Sequence, residues 1–104
     1  MARKTPEGNF NEHLSEELDA RFPGHLSFKM DPHQMLGVPD RLILHGNRWA
    51  TLETKAGTKS AKRPLQPERV EMMNDMAFSE FINPDNCDEV LDRLSDYFGK
   101  TDEG

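Results

Sequence analysis

GVPDRLILHGNRWATLETKAG, residues 37–57, holds two strand-like runs around one tight turn, and its reading decides the fold. Within it, His45-Gly46-Asn47-Arg48 separates the runs. A Gly-Asn pair suits a two-residue hairpin loop of type II′, because the first loop residue must take a positive φ. With Gly46 and Asn47 as the loop, His45 pairs with Arg48, Leu44 with Trp49, Leu42 with Thr51 and Asp40 with Glu53. Directly opposed residues share a face, with Cβ atoms roughly 5 Å apart. Alternation places Lys55 on that face as well. Two carboxylates and an ammonium are thus expected on one patch.

Like charges directly across a ladder destabilise it. A divalent cation reverses that argument, because Mg²⁺ prefers hard oxygen ligands. An ammonium beside the cation can stabilise an anion or orient a water. Spacing alone leaves a second reading open, a hairpin whose charges simply face solvent.

Pro39-Asp40 followed by Glu53-Thr54-Lys55 resembles the PD-(D/E)XK nuclease signature. The preceding Gly37-Val38, and the Lys-, Pro- and Gln-containing segment after Lys55, are similar to the VRR-NUC branch. That branch occurs as stand-alone phage proteins and as the nuclease module of larger repair enzymes. The resemblance runs from about Thr5 to about Leu94. It implies a Mg²⁺- or Mn²⁺-dependent endodeoxyribonuclease in which Asp40, Glu53 and the backbone carbonyl of Thr54 hold the metal. Lys55 would position the attacking water or stabilise the transition state. The relatives imply branched or structured DNA, such as Holliday junctions or flaps, as substrate. They also imply a helix-borne glutamine after the hairpin. Gln66 matches it, but Pro67 follows at once, which places Gln66 at the helix edge.

Composition bounds these readings. The 104 residues suffice for one domain, expected to span 1–104 with loose tails at 1–4 and 100–104. One cysteine, Cys87, excludes an internal disulfide and fits a reducing compartment, so a cytoplasmic location is expected. No apolar run approaches the roughly 20 residues of a membrane span. The formal net charge is −6, yet residues 55–69 carry +4 and the rest therefore −10. A basic strip beside an acidic metal site is compatible with a nuclease of salt-sensitive affinity. Lys29, Lys59, Lys62, Arg63, Gln66 and Arg69 are the expected DNA contacts.

Along the chain, Thr5-Pro6-Glu7 reads as a helix start, and Phe10, Leu14, Leu18 and Phe22 give that helix one apolar stripe through about Arg21. Residues 25–30 form a short strand candidate with Leu26, Phe28 and Met30 on one side. His33 and Gln34 lie in the following loop. Arg41–His45 and Arg48–Lys55 form the hairpin, whose Leu42, Ile43, Leu44, Trp49, Ala50 and Leu52 are apolar on both faces. Such a sheet is expected to be covered by helices on both sides. A helix over 68–77, a strand over 78–82 and a terminal helix over 88–98 complete the order α-β-β-β-α-β-α. This is an α/β sandwich with a mixed sheet, which the resemblance specifies as restriction-endonuclease-like.

Two carboxylates rarely complete a Mg²⁺ shell. Among the acids of the first helix, Glu7 precedes Phe10, Leu14 and Leu18 by three, seven and eleven residues and so shares their face. Glu12 and Glu16 fall on the opposite side, and Glu17 lies roughly 15 Å further along. Related nucleases carry an acid with the same lead, and Glu7 is the expected third site carboxylate. Two alternatives to an enzyme are a non-catalytic DNA binder of the same fold and an acidic accessory protein. A single domain presents one active site, and symmetric cutting of a two-fold junction needs two, so a homodimer is expected. Met72 and Met76 are the candidate contact.

Overall fold

Phe10, Leu14, Leu18 and Phe22 recur at every fourth position and are all buried, so α1 (Pro6–Arg21) lies on the sheet by the stripe that its sequence carries. The structure is a computed structural model that describes residues 6–31, 33–57, 62 and 65–99, with the side chains of Pro6 and Glu7 excepted. The remaining elements are β1 (Leu26–Lys29), β2 (Arg41–His45), β3 (Arg48–Thr54), α2 (Gln66–Met76), β4 (Ser79–Ile82) and α3 (Cys87–Phe98). The order α-β-β-β-α-β-α is the expected one. The expected tails at 1–4 and 100–104, and Thr5 as helix cap, lie outside the described residues.

The four strands form one mixed sheet in the order β1-β2-β3-β4. The β1–β2 and β2–β3 pairs are antiparallel, while β3–β4 is parallel and reached through α2. The hairpin register is as read: His45 opposes Arg48, Leu44 opposes Trp49 and Leu42 opposes Thr51. Gly46 has φ 64° and Asn47 has no positive φ, the pattern of a II′ loop.

One face of the sheet carries Ile43, Ala50, Leu52 and Ile82. With Leu14 and Leu18 of α1 and Val90, Leu91 and Leu94 of α3 they form the core. Arg21 ties the two helices at the rim, 2.8 Å from Asp92 and 3.3 Å from Glu17. On the other face α2 packs over β3 and β4. Val70 is buried there, and the Thr51 hydroxyl sits between the Ser79 hydroxyl at 2.7 Å and the Met73 sulfur at 3.7 Å.

Helical cover over both faces is therefore only half right. No helix among the described residues packs over the β1–β2 half of the second face, where Leu26, Phe28 and Leu44 stay exposed and Leu42 is half-buried. Element ends also shift by a residue or two. β1 is shorter than residues 25–30, β3 stops before Lys55, β4 begins at Ser79, and α3 takes in Cys87. α2 starts at Gln66 rather than Glu68, because proline fits the first turn of a helix, where its missing N–H has no intrahelical partner to lose.

Candidate active site

Asp40 enters from the loop that joins β1 to β2. Its carbonyl accepts a 2.9 Å hydrogen bond from the Met30 N–H, which fixes the backbone where β2 begins. The expected Asp40–Glu53 ladder pair does not form: pairing ends at Arg41 opposite Leu52. Asp40 instead turns its carboxylate across the end of β2 toward β3. There it accepts the Thr54 N–H at 3.2 Å and the Thr54 hydroxyl in a short bond. Thr54 is fully buried, so this double donor is held rigidly.

Glu53 projects from the opposite side of β3, toward α2. Its parallel partner on β4 is Phe81, and only 6% of Glu53 is exposed. Burial is the largest influence on its carboxyl and pushes the pKa up; the Asp40 charge pushes it further. Lys55, a hydrogen bond with Gln66 and the Asp40 backbone oppose that rise. The Lys55 ammonium lies 3.6 Å from Glu53 Oε2 and donates to Gln66 Oε1 at 3.0 Å. Gln66 is 2% exposed, so the first residue of α2 turns its side chain inward onto the sheet. Its position at the helix edge is as expected; the side chain expected on DNA is buried and accepts from Lys55.

The loop before Asp40 and the start of α2 are locked together. Gly37 has φ 83°, and a Cβ there would lie 2.7 Å from the Leu65 carbonyl carbon. Leu65 caps α2 in the left-handed conformation with φ 66°. Arg69 adds a 3.3 Å bond to the Leu36 carbonyl. Asp40 and Gln66 are therefore positioned by one packed junction. Arg69, expected on DNA, is engaged in this bond.

Of the other expected contacts, Lys62 stands beside the site, its ammonium 4.5 Å from the ring centroid of Phe81. Lys29 is exposed and borders a cavity of about 370 Å³ with Met30, Asp31, Gln34, Met35, Val38 and Met73. Lys59 and Arg63 lie outside the described residues. His33 closes a local turn through its N–H to the Asp31 carboxylate at 2.8 Å. Glu7 belongs to the first turn of α1, one turn before Asn11. Arg41 bonds Asn11 at 3.4 Å and Ser15 at 3.1 Å, so that first turn runs on past Arg41 toward the Asp40 end of the sheet. The Glu7 side chain itself lies outside the described residues.

The donor set suits a hard divalent cation in part. Asp40 and Glu53 supply carboxylate oxygens, and the buried Glu53 Oε1 has no hydrogen-bond partner among the described residues. No group of three or more Asp, Glu, His or Cys that could hold a metal forms among the described residues. Sequence reasoning missed Thr54 as the holder of Asp40. Alternation places Thr54 on the face opposite Glu53, and only the departure of Asp40 from the ladder brings the two together. Comparison of the chain with protein-family models, with curated proteins and with solved structures finds no match.

Proposed function

We propose that this chain is a Mg²⁺- or Mn²⁺-dependent endodeoxyribonuclease of the PD-(D/E)XK type, similar to the VRR-NUC branch. The observation that carries the reading is the convergence of Asp40, Glu53, Lys55 and Gln66 at one end of the sheet. Their order in the sequence is that of the signature. Glu53 supports it most: it is a buried carboxylate with an orphaned oxygen beside a second carboxylate, a costly arrangement that Lys55 offsets in part and a bound cation would offset further.

In this reading Asp40 and Glu53 hold the metal, joined by the Thr54 carbonyl and by Glu7 directly or through water. When bound, the metal supplies an activated water and a counter-charge for the phosphate. Thr54 fixes the orientation of Asp40. Gln66 draws the Lys55 ammonium into place, where it stabilises charge on the phosphate oxygens as the P–O bond breaks. Lys62 and Lys29 add positive charge along the path of the backbone, with Lys59 and Arg63 in the same basic segment. No helix among the described residues is long and apolar enough to cross a membrane. DNA with branches or flaps, cut in the cytoplasm by a homodimer, completes the reading.

Thermal melting with and without divalent metal tests the site. The wild type should gain melting temperature with Mg²⁺ or Mn²⁺, and Asp40→Asn and Glu53→Gln should each lose most of that gain. A wild type that melts identically at every metal concentration overturns the two-carboxylate site.

A further inference from the structure

We infer that the bare β1–β2 half of the sheet and the methionine flank of α2 form a two-fold interface between two copies of this chain. This deepens the homodimer of the proposed function but rests on separate observations. Leu26 opposes Leu44, and Phe28 opposes Leu42, so their side chains share the face on which α2 lies. Leu26 is 57%, Phe28 49% and Leu44 36% exposed. Across the gap, Met72 and Met76 are one turn apart on α2 and are 47% and 67% exposed. Their flank also carries Arg69, which reaches the Leu36 carbonyl in the loop leaving β1. That flank therefore borders the bare half of the sheet, and Met35 and Leu36, also exposed, close the patch at its other end.

Size selects the occupant. These seven side chains are 36–67% exposed and together leave on the order of several hundred Å² of apolar surface open, the size of patch that is often functional. A monomer seldom exposes more than a few hundred Å² of contiguous apolar surface. A standard interface takes about 800 Å² from each partner.

Shape then favours a second copy. The patch contains both an open sheet floor two strands wide and a projecting helix flank. A two-fold axis lays the Met72–Met76 flank of each copy on the Leu26–Phe28–Leu44 floor of the other, completing the layer that α2 leaves half built. Methionine side chains adapt to such a floor. Met76 and Leu44 lie toward the end of the sheet away from Glu53 and Gln66.

Sedimentation equilibrium of the full chain tests this, with Phe28→Asp and Met76→Asp as patch variants and Glu71→Lys, on an outward position of α2, as control. All of these positions are exposed, and circular dichroism and melting check that each variant folds; Leu26→Lys replaces any patch variant that does not. The wild type and Glu71→Lys should show twice the 11.9 kDa chain mass. Each patch variant should dissociate at least about tenfold more readily, as loss of a central apolar anchor does. A wild type of single-chain mass at ~100 μM overturns the proposal, and so does a dimer that both patch variants leave intact. DNA cleavage, measured separately, bears on the nuclease reading alone: a dimer that cuts nothing keeps this interface.

Discussion

Gln66, which opens α2, accepts a 3.0 Å hydrogen bond from Lys55, which follows the last residue of β3. The same ammonium stands 3.6 Å from Glu53. Lys55 thus has a neutral anchor and a charged neighbour, and its position depends on where α2 begins. Gln66→Ala should lower the cleavage rate by shifting the ammonium, and Lys55→Ala should lower it by about 10²–10³. Because both act through one group, the double variant should be little worse than Lys55→Ala. Single-turnover rates check this; additive losses would mean that Gln66 acts independently of Lys55.

Metal-free protein should report the cost of the buried Glu53 carboxylate. Its pKa is raised in the folded state, chiefly by burial and then by Asp40. The folded chain therefore holds this proton to higher pH than the unfolded chain does. In chelator, stability should fall as pH rises from the ordinary carboxylate range through the folded value of Glu53. Glu53→Gln removes that slope. It should melt above wild type at neutral pH, with the gap narrowing as the solution is acidified. Melting curves in chelator across this range are the check; a gap that widens on acidification contradicts the sign.

Thr54→Val keeps the shape of a fully buried side chain but removes the hydroxyl that Asp40 accepts from. One hydrogen bond to a charged group should cost about 1.5–3 kcal/mol of stability. Divalent affinity should fall too, since Asp40 loses one of its two Thr54 donors. Titration calorimetry with Mn²⁺ and denaturant melts separate the two effects. Unchanged affinity would mean that Asp40 needs no help from Thr54.

Gly37→Ala places a Cβ 2.7 Å from the Leu65 backbone at a φ of 83°. It should destabilise by at least about 1–3 kcal/mol and displace the start of α2, lowering cleavage through Gln66. Gly24→Ala and Gly46→Ala also carry positive φ, but no atom lies within 4 Å of the added Cβ. Each should cost only about 1 kcal/mol and leave cleavage alone. Denaturant midpoints and rates of the three variants decide this.

Glu7→Gln should cost much of the activity and little stability, whereas Glu12→Gln and Glu16→Gln should cost neither. The expectation follows from α1, whose contacts with Arg41 aim its first turn at the Asp40 end of the sheet. A dead Glu17→Gln beside an active Glu7→Gln would place the helix wrongly by nearly three turns.

The parts legible in the sequence are those set by local rules. The Gly46-Asn47 loop defines its own register, so every pair from His45–Arg48 to Leu42–Thr51 follows by counting. The α1 stripe is periodic and buries as read. Asp40 was not legible to the same degree. Extending the count by two residues assumes a ladder that ends at Arg41–Leu52, and tertiary contacts with Met30 and Thr54 decide its direction instead. The inward turn of Gln66 was hidden by Pro67, whose tolerance in the first helical turn depends on where the helix starts. The bare half of the sheet is equally unreadable from alternation. Leu26 and Phe28 have the pattern of buried strand residues, and only the placement of α2 over β3 and β4 leaves them open.

Cleavage of a four-way DNA junction in Mn²⁺ by wild type and Lys55→Ala tests the central claim most directly. The account predicts metal-dependent strand scission by the wild type, abolished by chelator and reduced about 10²–10³-fold in Lys55→Ala. Metal-insensitive binding without scission, or scission that Lys55→Ala retains in full, would contradict it.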